Sequence, residues 1–120
     1  MKKPYILAVD DEELNLLILE ELLGDKYELG FVKNGRCCLE SVNERLPDLI
    51  LMDVNMPIMD GLEACSVLKN QQGTAHLPIV MLSALANEVE SNDGLSTGAS
   101  AYITKPFEED LLLDTIQLYL

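Results

Sequence analysis

Five short apolar runs divide the chain: Tyr5 to Val9, Tyr27 to Val32, Leu49 to Met52, Ile79 to Leu82 and Ala101 to Thr104. Each is strand-length, and helix-length segments separate them, an alternation that predicts βα units and a parallel sheet. The first, third and fourth runs are continuously apolar, as strands covered on both faces must be. In the second, Tyr27, Leu29 and Phe31 alternate with Glu28 and Gly30, which predicts an edge strand. The fifth, short and set between Ser100 and Thr104, predicts the opposite edge. These features suit a doubly wound α/β fold, a five-stranded parallel sheet in the order 2-1-3-4-5 with helices on both faces.

The intervening segments carry helical spacing. Leu14, Leu17, Ile18 and Leu22 recur at that spacing before Gly24 supplies a stop. Asn34 is placed to cap a second helix running through Leu39, Val42 and Leu46 until Pro47 ends it. A third follows Gly61 with Leu62, Cys65 and Leu68 on one face, and the last begins after Pro106 and carries Leu111, Leu112 and Ile116. The segment from Ala86 to Thr97 is the weakest helix: Ser91, Asn92, Asp93, Gly94 and Ser96 lower its summed propensity, although Gly98 is well placed to end it.

Length and charge narrow the function. A chain of 120 residues has room for one domain, residues 1–120, and no repeat, low-complexity tract or linker divides it. Area scaling gives roughly 6,500 Å² exposed when folded against about 19,000 Å² unfolded, enough burial for a core. Eight Lys and Arg against 21 Asp and Glu give a net charge of -13. That balance opposes affinity for nucleic-acid phosphates or anionic lipid, and the apolar runs are too short to span a bilayer. Cys37, Cys38 and Cys65 are odd in number and lack a nearby His at a metal spacing. They read as compact apolar filler in a reducing cytoplasm.

In open α/β sheets, ligands bind beyond the carboxyl ends of the strands, where strand order reverses. For the order 2-1-3-4-5 that is the gap between strands one and three. Strand one ends in Val9, Asp10, Asp11, Glu12 and strand three in Met52, Asp53, so at least three carboxylates converge there. Their mutual repulsion calls for a cation, and a few hard oxygen ligands suit Mg²⁺. Strand four ends in Leu82, Ser83, Ala84, and strand five leads into Thr104, Lys105, Pro106, adding a hydroxyl and an ammonium to the same rim. Carboxylate, metal, hydroxyl and lysine together can accept a phosphoryl group, with the carboxylate as nucleophile. Neither GxxxxGK[ST] nor GxGxxG occurs, so nothing marks a nucleotide cradle.

With these residues in place, the chain resembles the receiver domains of two-component response regulators over essentially its whole length. The resemblance rests on Val9-Asp10-Asp11-Glu12, on Leu51-Met52-Asp53-Val54-Asn55-Met56-Pro57 with Met59-Asp60-Gly61, on Leu82-Ser83-Ala84, on Gly98-Ala99, on Tyr102 and on Lys105-Pro106-Phe107. It implies a flavodoxin-like fold, Asp53 as phosphoacceptor, and Mg²⁺ held by Asp11, Asp53, the nearby Asp10 and the Asn55 main-chain carbonyl. It further implies Ser83 and Lys105 on the phosphoryl oxygens, Tyr102 as the aromatic that turns inward with Ser83, and a cis Lys105-Pro106 bond. Asn55 and Leu85 would flank the path of the attacking water, and Leu85 can neither orient nor activate it.

The implied phosphodonor is a histidine on a sensor kinase or phosphotransfer protein. The implied output surface is the 86–97 segment with the fifth strand and last helix, for an output domain or a second copy. Such a domain catalyses only its own phosphorylation and slow dephosphorylation. The apolar ending Leu118, Tyr119, Leu120 suits either a piece of a longer protein or a stand-alone one. Two other classes make different demands. A metal-dependent phosphohydrolase would want a further group to activate water and a substrate cap, for which 120 residues leave little room. A receiver reduced to an interaction module would lack one of Asp11, Asp53 or Lys105, and all three are present.

Overall fold

Each β-strand of the sheet presents alternate residues to opposite faces, and that alternation sorts the core into two layers. The computed structural model describes residues 3–54, 56–83, 99–105 and 107–120. In chain order the elements are β1 (Tyr5–Val9), α1 (Glu13–Leu23), β2 (Glu28–Val32), α2 (Gly35–Glu44), β3 (Leu49–Asp53), α3 (Gly61–Lys69), β4 (Ile79–Ser83), β5 (Ala101–Thr104) and α4 (Glu109–Tyr119). The strands form one parallel sheet in the order β2-β1-β3-β4-β5, as the run pattern predicts, with β2 and β5 at the edges. Ile6, Ala8, Leu49, Leu51, Val80 and Leu82 meet α1 and α4 on one face. Leu7, Val9, Ile50, Met52, Ile79 and Met81 meet α2 and α3 on the other.

Local chemistry sets the helix starts. The Asn34 side chain accepts a hydrogen bond from the Cys37 N–H at 2.8 Å, and Asp60 does the same for the Glu63 N–H at 2.8 Å. Most of the stripe that predicts α1 faces the wrong way, however, and of its four residues Leu22 alone packs against the core. Leu14 is 66% exposed, Leu17 58% and Ile18 39%, whereas Leu16, Leu19 and Leu23 are buried against the sheet. The sequence ELNLLILEELL carries leucines on both sides, and only docking selects the face.

A second difference concerns α2. It stops at Glu44, with Arg45 already extended, so Leu46 lies off the helix and 53% exposed. A residue before proline avoids helical geometry, and here the break falls one residue earlier still. Arg45 instead stacks over the Tyr5 ring, 3.9 Å from its centroid, and pairs with Glu28. Asn55, Ala84, Leu85, the 86–97 segment, Gly98 and the Lys105-Pro106 bond lie outside the described residues.

Candidate functional site

The register of the sheet assembles the site. Val9 lies opposite Met52, so the strands that follow bring Asp10 and Asp53 to one end of the sheet, at the β1/β3 boundary. On the other side, Asp53 pairs with Leu82 and Ser83 with Thr104, and the Lys105 N–H donates to the Ser83 carbonyl at 2.7 Å. Lys105 starts beyond the far edge strand and reaches back across the sheet end. Its Nζ stands 3.0 Å from Asp10 Oδ2 and 3.1 Å from Asp53 Oδ1. Asp10 is fully buried, Asp53 and Ser83 are buried, and Asp11 is exposed. Asp10 Oδ1 also accepts from the Glu12 N–H at 2.9 Å, which ties the carboxylate to the start of α1. One oxygen from each of Asp10, Asp11 and Asp53 lies within 4.8 Å of the others.

Two carboxylates share one ammonium here, and burial decides the balance. Burial pushes the Asp53 carboxyl up to about 6 and the charge of Asp10 adds to it, while the hydrogen bond and charge of Lys105 pull it back. For Lys105, burial alone would lower the ammonium's value, but its hydrogen bonds to Asp10 and Asp53 and their charges outweigh that and raise it. The site is a buried anionic notch carrying less positive charge than its acids can use. Three hard carboxylate oxygens so close together fit a small divalent cation such as Mg²⁺, which binds through few protein ligands and keeps several waters.

The β3–α3 connection is locked beside this notch. The Gly61 N–H donates to the Val54 carbonyl at 2.9 Å, and a Cβ at Gly61 would lie 2.0 Å from the Asp53 carbonyl oxygen. Only glycine permits α3 to start so close to the end of β3. The sequence pattern of the response regulator receiver domain matches residues 6–117. The chain belongs to that family. The receiver is 39% identical over 113 residues to Response regulator PleD of Caulobacter vibrioides, covering 93% of the chain and 25% of PleD. It thus spans a quarter of that relative's length. Among solved structures, it is similar to the chemotaxis response regulator CheY4 of Vibrio cholerae, with a TM-score of 0.91 and 32% identity over 99% of this chain and 100% of that one. It is also similar to the receiver domain of a Pseudomonas aeruginosa sensor histidine kinase that has a magnesium ion coordinated in its active-site cleft. That match has a TM-score of 0.90 and 29% identity, covering 98% of this chain and 97% of the other. Receivers are signalling domains of two-component systems rather than metabolic enzymes.

The structure of this receiver brings Asp10, Asp11, Asp53 and Lys105 together and sets Ser83 at the end of the neighbouring strand. Tyr102 lies on β5 opposite Met81, packed against the α2/α3 layer with its hydroxyl buried. Three features escape the sequence reading: the close approach at Gly61, the matching contact of Gly35 against Met59, and the backbone of Ile58. The pair Asp60-Gly61 before a helix is the signal that could have pointed to the first. The thiols of Cys38 and Cys65 are buried in the α2/α3 layer. Burial, with Cys65 and Cys37 beside it, pushes the Cys38 thiol up to about 12, so it stays protonated at neutral pH. Among the described residues, no helix is long and apolar enough to cross a membrane.

Proposed function

We propose that this receiver is a phosphoacceptor that takes a phosphoryl group onto Asp53 from a phosphohistidine on a sensor kinase or phosphotransfer protein. The observation that carries the reading is the Lys105 ammonium set between the buried Asp10 and Asp53 carboxylates, 3.0 and 3.1 Å away. A carboxylate closing a buried strand is costly unless it is paired, and here one ammonium serves two such carboxylates. Raised to about 6 by burial and by the charge of Asp10, the Asp53 carboxyl still favours the ionised, nucleophilic form at neutral pH. In the transfer, a bond forms between an Asp53 oxygen and phosphorus as the phosphorus–nitrogen bond of the donor breaks, its electron pair returning to the imidazole. Lys105 and the Ser83 hydroxyl then hold the phosphoryl oxygens.

Asp10, Asp11 and Asp53, with the Asn55 carbonyl expected from the family, would hold Mg²⁺, which when bound supplies positive charge to the phosphoryl oxygens. Ser83 leads into the 86–97 segment, and Tyr102 stands on the adjacent β5. Phosphorylation is therefore read out on the face formed by that segment, β5 and α4, toward an output domain or a second copy. A phosphohistidine relay of this kind operates in the cytoplasm. The test is incubation with phosphoramidate and Mg²⁺ followed by mass spectrometry. One phosphoryl adduct is expected, absent in Asp53→Asn, and an undiminished adduct in that variant overturns the assignment.

A further inference from the structure

Between Asp53 and Asp60 the chain does something that its residue type opposes. Ile58 has φ 70°, and it is the only residue other than glycine with positive φ among those described. The Met59 N–H donates to the Pro57 carbonyl at 2.7 Å, which closes a three-residue turn around Ile58. A γ-turn with positive φ is rare and strained, and a β-branched side chain suffers most from it. Glycine or asparagine would adopt the same backbone at little cost.

Packing does not repay the strain, because Ile58 is 78% exposed, more than any other large apolar residue described. Nor is the loop free to relax. Its far end is held by Gly61 on Val54, and the Gly35 N–H holds the Met59 carbonyl at 3.0 Å, where a Cβ on Gly35 would lie 2.7 Å from that oxygen. The fold thus holds an apolar side chain out in water, in an unfavourable conformation, on the rim of the phosphoacceptor site. Strain that the surrounding structure holds in place clusters at active sites, ligand clamps and switch regions, where it serves function.

We propose that Ile58 is a specificity-determining contact for the protein that delivers the phosphoryl group, inserting into an apolar pocket on the phosphohistidine-bearing partner. The inference rests on the phosphotransfer reading above and names a feature of its partner. A small phosphodonor reaches Asp53 without touching Ile58, whereas a protein that places a histidine over Asp53 must cover this rim. Exposed acids flank the same site, Asp11, gathered with Asp10 and Asp53, and Asp60, two residues along the loop, on a chain of net charge -13. The partner's pocket is therefore ringed by Lys and Arg.

The experiment compares Ile58→Gly, Ile58→Asn and Ile58→Val with the unaltered protein. One donor is phosphoramidate; the other is a histidine phosphotransfer domain, phosphorylated on its histidine and chosen from a panel because it charges the unaltered protein. Glycine and asparagine should raise the melting temperature and leave phosphoramidate labelling unchanged. They should slow transfer from the phosphohistidine protein roughly ten- to a hundredfold, the loss of one buried aliphatic contact. Valine should retain most of the transfer rate. Transfer at the unaltered rate from the protein donor overturns the proposal, and so does equal slowing with both donors, which would mean a role in loop geometry alone. Labelling by phosphoramidate but by no member of the panel also overturns it. No labelling of the unaltered protein by phosphoramidate would instead be a failure of the phosphoacceptor reading.

Discussion

At the scale of single residues, Asp53 carries a structural cost at the position where phosphotransfer is proposed. Burial, with the charge of Asp10 beside it, holds its carboxyl up at about 6 in the fold, well above the ordinary aspartate range. The folded state therefore holds the proton more tightly than the unfolded chain does. The resulting penalty is absent below about pH 4, grows as pH rises through 6 and is complete above it. In chelator at pH 7, Asp53→Asn should accordingly be more stable than the unaltered protein, by on the order of 1–2 kcal/mol once solvent screening is allowed for, and the gap should close by pH 4. Urea unfolding of both proteins across that range checks it, and a gap that widens on acidification would contradict the electrostatic account. Taking the difference between the two proteins removes the effect of acids remote from Asp53, which titrate alike in both.

Among the elements, α1 separates what burial stabilises from what it does not. Leu19 is fully buried against the sheet and Leu17 is 58% exposed, two residues apart on one helix. Leu19→Ala should cost about 2–5 kcal/mol, the range for a buried leucine, whereas Leu17→Lys should stay within about 0.5 kcal/mol. Chemical denaturation of the two variants tests the assignment of faces, and comparable losses would show that the outer face is packed in solution. The end of β3 obeys a different constraint. There the Asp53 carbonyl oxygen leaves no space for a Cβ at residue 61, so the end of β3 and the start of α3 are packed backbone to backbone.

For the whole molecule, a surface of 6634 Å² carries a net charge of -13, and Asp10, Asp11 and Asp53 crowd together at one end of the sheet. Any salt will screen that repulsion, so stability should rise with NaCl. Mg²⁺ should do more. At ten times its dissociation constant it contributes about 1.4 kcal/mol through binding to the folded state. A thermal scan should show a midpoint several degrees above that in NaCl of equal ionic strength, and Asp11→Asn should lose most of the excess. Identical curves in the two salts would remove the metal site.

Strand order, edge strands and the carboxylates at the ends of β1 and β3 were all readable from the sequence, because side-chain alternation and turn residues are properties of short stretches of chain. The same locality explains why Asn34 could be assigned as a cap. Locality fails where two readings share one pattern. Leucines on both sides of α1 satisfy helical spacing twice, and only the sheet beneath chooses Leu16, Leu19 and Leu23 for burial. It fails again where distance along the chain is large. Lys105 meets Asp10 across 95 positions through the registers of four paired strands, none of them written in either residue's neighbourhood. The strained turn at Ile58 arises in the same way, since the hydrogen bonds that hold its loop come from Val54 on one side and Gly35 of another helix on the other. Periodicity is decided by neighbours in sequence, and proximity by the packing of the whole sheet.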